Sequence, residues 1–134
     1  MQIYYNWPAV AVATLLGIVL HALWFSPLLL GGLWQRKEGL NDEQVRTGLL
    51  PRLGLAALAS AAMALALAGF FNFTGSNTFL QGVLAGAQLS LGLVLPAQAL
   101  ALVMGRKGAG LLALHLGLSL LNAVLVGGLL AAWR

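Results

Sequence analysis

The sequence contains no cysteine and very little charge: seven Lys/Arg and three Asp/Glu in 134 residues, 7% charged against 60% hydrophobic. Each shortage excludes something. Without cysteine there is no disulfide, no thiolate metal site and no cysteine nucleophile, and the redox compartment stays open. An ordinary soluble domain carries roughly 25% charged residues, so water is the wrong solvent for this surface. The basic residues are few, scattered and without an aromatic platform, which argues against a nucleic-acid partner. No acidic residue lies inside a long apolar stretch, so proton-coupled chemistry lacks its usual intramembrane carboxylate. His21 and His115 alone make a poor metal site, because zinc wants about three or four protein ligands, and neither metal nor other cofactor is expected.

What the chain does have is four charge-free apolar stretches, at about 8–30, 53–71, 79–104 and 111–133. Each is near or above the ~20 residues an α-helix needs to cross ~30 Å of hydrocarbon. The expected fold is all-α: a single membrane domain over 1–134, a four-helix bundle with the lipid bilayer as its first partner. The start has no basic region and the first stretch is too long for a signal-peptide core, so a retained span is expected. Asn6 or Trp7 lies near its N-cap, Pro8 falls where a missing N–H costs nothing, and Tyr4, Tyr5 and Trp7 suit the headgroup zone.

Four spans place the first and third loops on one side. Arg36, Lys37, Arg46, Arg52, Arg106 and Lys107 lie there, and only Arg134 lies opposite. That bias puts the loop side in the cytoplasm and both termini outside, in an inner (plasma) membrane. In the first loop, Gly31-Gly32 closes the first span. Asn41 and Gln44 then suit a capping box, with Leu40 and Val45 as the staple, which points to a short interfacial helix from about Asp42 to Leu49, stopped by Pro51, with a solvated connector as the equal alternative. The second loop runs over Asn72–Thr78. The third, Gly105–Gly108, is tight enough to make spans three and four antiparallel neighbours.

Small residues at four-residue spacing, Gly82, Gly86 and Ser90 above all, let helix backbones approach closely, within the bundle or between subunits. A homo-oligomer is expected on this ground. The polar residues of the spans also fall on faces. His115, Ser119 and Asn122 share one, as do Thr14, Gly17 and His21, and Gln81, Ala85, Gln88 and Gly92; span two offers Ser60. The helical rise of ~1.5 Å per residue sorts them into a loop-side layer of His21, His115 and Ser60 and an outer layer of Gln88 and Asn122. Amides and hydroxyls there commonly act as interhelical glue at ~0.6–2 kcal/mol each. Buried ionisable groups are functional-site candidates, which sets the histidines apart. A Ser119–His115 pair has no carboxylate to orient it, so no catalytic residue is assigned and a non-enzymatic protein is expected. Pro96 frees the Gly92 carbonyl, and a kink there would open a pocket near Gln98 and Ser26.

The most specific string is Leu23-Trp24-Phe25-Ser26-Pro27-Leu28-Leu29-Leu30-Gly31-Gly32-Leu33-Trp34. Trp24 and Trp34 bracket a proline-containing helix end at the interface, and Ser26 can bond the backbone that Pro27 leaves free. With Asn6-Trp7 ahead of it, this string resembles the signature of a family of small bacterial four-helix membrane proteins of unassigned function. That family shows Asn-Trp near the start, then Gly-x-x-Trp-Tyr-Ser-Pro-Leu-Leu-Phe-Gly and a further Trp. Phe25 stands here for Tyr and Leu30 for Phe, and His21 stands where the family often has Gly. The acidic short helix at Asn41–Gln44 and a His early in the last span, as at His115, also fit its layout. The resemblance implies fold and membrane location and brings no activity. The leading functional expectation is an oligomeric module for small-solute transport or permeation. Its rival is an accessory or lipid-binding subunit of a larger membrane complex, and an intramembrane enzyme using His115 with Ser119 comes third.

Overall fold

A computed structural model describes residues 4–26, 28–105 and 108–133. Among them every regular element is helical, with no strand. The order is α1 (Trp7–Trp24), α2 (Gly31–Glu38), α3 (Asp42–Thr47), α4 (Leu49–Thr74), α5 (Phe79–Leu89), a π-turn at Ser90–Val94, α6 (Leu95–Met104) and α7 (Ala109–Ala132). Four helices are long and apolar enough to cross a membrane: α1, α4, the continuous run Phe79–Met104, and α7.

The ends follow local chemistry. Asn6 caps α1, its side chain accepting from the Ala9 N–H while its Nδ2 donates to the Trp133 carbonyl, so one residue ties the chain's two ends together. The first span ends at Trp24, short of the expected boundary. There the Ser26 hydroxyl donates to the Leu23 carbonyl at 2.7 Å, the carbonyl that a proline four residues on cannot serve. Pro27 itself lies outside the described residues. After this break Gly31-Gly32 opens α2 rather than closing the first span. The Asn41–Gln44 capping box is present, and Leu40 and Val45 pack against Trp34 and Leu111 with Leu114. Pro51 does not stop α3. Gly48 interrupts the helix, and Pro51 sits in the first turn of α4, where its missing N–H has no helical partner to lose. At the other end α4 runs on to Thr74, where Gly75 at φ 69° takes the left-handed cap. Asn72, expected in the second loop, is therefore helical, and its Nδ2 donates to the Tyr4 and Ala68 carbonyls.

The last helix is the hub. It packs most extensively against α5, then against α1 and α4, while α4 makes only incidental contact with α5 and α6. The contact between α5 and α7 explains the small-residue spacing. A Cβ on Gly82 would collide with the Gly127 carbonyl, and one on Gly86 with the Ala123 carbonyl, while Ser90 one turn on is fully buried. Gly82, Gly86 and Ser90 thus serve packing inside the chain. A core of Ala9, Val10, Ala13, Ala64, Leu67, Phe71, Val126, Leu130 and Ala131 fills the end of the bundle nearest the N-terminus.

Candidate functional site

At the opposite end, beside the first loop, the bundle does not close. A cavity of about 360 Å³ lies between α1, α4, α6 and α7, and its walls include His21, Arg52, Gln98, His115 and Ser119. Three features open it. First, α1 stops at Trp24, so this half has one full-length helix fewer, and Trp34 of α2 fills only part of the space. Second, the third span carries a π-turn at Ser90–Val94 with Pro96 just after it, beyond the glycines that meet α7. Third, α6 rests on α7 and scarcely touches α4. The Gln98 Nε2 donates to the Ser119 hydroxyl at 2.8 Å, a polar tie between α6 and α7.

The polar atoms of the cavity have defined roles. His21 Nδ1 lies 2.9 Å from the Gly17 carbonyl, which can only accept, so Nδ1 carries the proton and Nε2 is the ring's free nitrogen. His115 stacks obliquely on Phe25, with ring centroids 5.7 Å apart, and no hydrogen bond to it occurs among the described residues. The Gln98 Oε1 is buried without a partner. Arg52 has two contacts: its Nη2 donates to the Val45 carbonyl at 2.7 Å, and its guanidinium lies 4.7 Å from the centroid of the Trp34 ring. No acidic residue is among the wall residues.

The structure sorts the expected polar layers differently. His21 and His115 do share a site, but Ser60 is not part of it. Ser60 is buried deeper, against Gly17 and near Asn122, where a Cβ on Gly17 would lie 2.5 Å from Ser60 Oγ and 3.3 Å from Asn122 Oδ1. Asn122 donates from Nδ2 to the Met63 sulfur at 3.2 Å, while its Oδ1 and the Ser60 hydroxyl have no hydrogen-bond partner. Gln88 belongs to neither group. It lies on the exposed face of α5, between Leu84 and Leu91 at helical spacing, and not in the bundle interior with Asn122. Ser119 joins the cavity through Gln98 rather than through a hydrogen bond to His115. Of the two residues expected at the Pro96 pocket, Gln98 lines it and Ser26 does not. The bracketing tryptophans turn inward: Trp24 donates from Nε1 to the Leu114 carbonyl at 3.1 Å, and Trp34 is buried. Trp7 remains exposed beside Tyr5, as suits a headgroup contact. Arg52 is the site residue that charge counting hid. In the sequence it was one basic loop residue among several, and only its position in the first turn of α4 gives it away.

The profile of a family described as a protein of unknown function, DUF1761, matches residues 8–131. The chain belongs to this family. No curated protein and no solved structure matches it. Membership agrees with the resemblance in the first-span string at the level of an uncharacterised family, and it leaves the site to be interpreted from its own geometry.

Proposed function

We propose that this DUF1761 protein is a non-enzymatic integral membrane protein whose working part is a ligand pocket entered from the first-loop side. The observation that carries this is the contrast in one bundle between a cavity of about 360 Å³ with fixed polar groups and a filled core at the other end. Pockets of roughly 300–1,000 Å³ with a few placed polar groups are typical of small-ligand sites. The basic residues of the first and third loops support a cytoplasmic mouth in a bacterial inner membrane, with both termini outside. Transport of a small solute is the extension of this reading. The pocket would be the inward half of a route, and the core beyond it the gate that must open.

The absence of native cysteine makes the test direct. Ser119→Cys in sealed, oriented vesicles should react with a small membrane-impermeant thiol reagent from the first-loop side alone, and Ala59→Trp in the same chain should block the reaction. Silence from both sides would refute the pocket. Reaction from both sides would replace it with a continuous path.

A second reading, an oligomer or a subunit docked on another membrane protein, is favoured by Gln88. Its amide sits on an exposed apolar face about nine residues, or ~14 Å, into the third span, where hydrocarbon offers it nothing. A neighbouring helix would satisfy it. Gln88→Leu should then lower the copy number measured by mass in mild detergent, and an unchanged assembly would remove this support.

A further inference from the structure

We propose that the pocket takes an amphiphilic anion from the leaflet on the first-loop side, with a carboxylate or phosphate head at Arg52 and its apolar body against α4. This rests on the pocket reading above and adds the class of ligand. Three observations carry it. Arg52 is fixed at the loop-side end of the cavity by the Val45 carbonyl and the Trp34 ring, and no acidic side chain is paired with it among the described residues. One Nη2 bond and one ring face leave most of the guanidinium's five donors unused, in the fork geometry that matches a carboxylate or phosphate. A fixed cation facing a cavity with no acidic residue in its walls calls for an anion.

The second observation is the wall. From Arg52 to Ala59, about seven residues or ~10 Å along α4, the lining is Leu53, Leu55, Ala56 and Ala59, completed by Leu118 and Phe25. This suits a hydrocarbon chain and offers nothing to a hydrated inorganic ion. The third is the mouth. Leu49 and Leu55 line the cavity while 48% and 68% exposed on the outer surface of an apolar helix, and α4 barely touches α6 beside them. The opening therefore meets the bilayer as well as the loop side. A ligand already dissolved in the leaflet could enter sideways with its head kept at the interfacial level of Arg52. The unpartnered Gln98 Oε1 and the free His21 Nε2 further in are acceptors, and they would favour a hydroxyl or amide N–H along the ligand body.

The test uses the full chain in mild detergent and intact-mass measurement of adducts with palmitate, hexadecanol and inorganic phosphate. Palmitate should bind once per chain, at least about tenfold more tightly than hexadecanol, as expected for a charge-assisted pair. Arg52→Gln should abolish that preference while hexadecanol binding survives, and Arg52→Lys should restore part of it, which separates lost charge from lost fold. Inorganic phosphate should neither bind nor compete. Palmitate binding unaffected by Arg52→Gln would overturn the assignment of the head. Phosphate displacing palmitate would overturn the amphiphile in favour of a soluble anion. Both results would leave the pocket standing, whereas failure of Ala59→Trp to block Ser119→Cys labelling would remove the pocket itself.

Discussion

Near the N-terminal end of the bundle the helices leave a void of only about 20 Å³, lined by residues such as Asn6, Val10 and Phe71, whereas near the first loop they leave about 360 Å³. The first volume is room for about one water molecule, the second for a ligand. Alanine and leucine contribute to both ends, but the core at the tight end is apolar throughout while His21, Arg52, Gln98, His115 and Ser119 line the open one. The difference is in which backbones are allowed to touch. At the tight end Gly82 and Gly86 bring the third span onto the backbone of the fourth, and α1 is still present to complete the layer. At the open end α1 is in its last turns, the third span has passed its π-turn and Pro96, and side chains such as Gln98 must reach across. A site here is therefore a place where close packing is withheld, and polar groups are set into the gap.

The largest effect that could break this comparison is at the glycines. Gly86→Ala puts a methyl group into the Ala123 carbonyl and should destabilise the bundle by about 2 kcal/mol or more, as overpacking does. Gly92→Ala, two residues into the π-turn, meets nothing within 4 Å and should be neutral or stabilising by up to ~1 kcal/mol, because alanine is the better helix former. Reversible unfolding in detergent, followed by helix signal, would compare them. Equal losses would mean that the third span is held alike along its whole length.

The smallest expected effect lies at the boundary between the halves. The Ser60 hydroxyl is buried and has no hydrogen-bond partner, so Ser60→Ala should change stability by less than ~0.5 kcal/mol or raise it slightly. A loss above ~1 kcal/mol would show that the hydroxyl is bonded, and that the polar layer at Gly17, which Asn122 also approaches, is more than packing.

Much of the fold was legible in the sequence, because a bilayer permits few solutions to a charge-free apolar run. The four spans, the Asn41–Gln44 box and the antiparallel third and fourth spans could be read from spacing, whereas the glycine spacing left open whether its seam lies within the bundle or between subunits. Boundaries were less so. Pro27 and the bonding capacity of Ser26 marked a weak point, yet nothing in the pattern said that α1 would end at Trp24 rather than at Gly31. The candidate site was half legible for a related reason. Helical faces relate residues within one span, but depth across spans depends on where each helix starts and on rotations the sequence does not carry. His21 and His115 came together because both lie near the loop side. Gln88 and Asn122 matched in depth, but rotation of α5 put its glycines inward and Gln88 outward. Arg52 was invisible as a site residue until Gly48, rather than Pro51, proved to be the break.

The most direct measurement is of water. In bilayers, magnetisation transferred from water should reach the imidazoles of His21 and His115 and the Gln98 amide quickly, and the Asn122 amide slowly, in solid-state spectra of isotopically labelled protein. That order would follow from an open first-loop half above a dry core. Transfer to Asn122 as fast as to His115 would contradict it, since water would then run through the region said to be sealed.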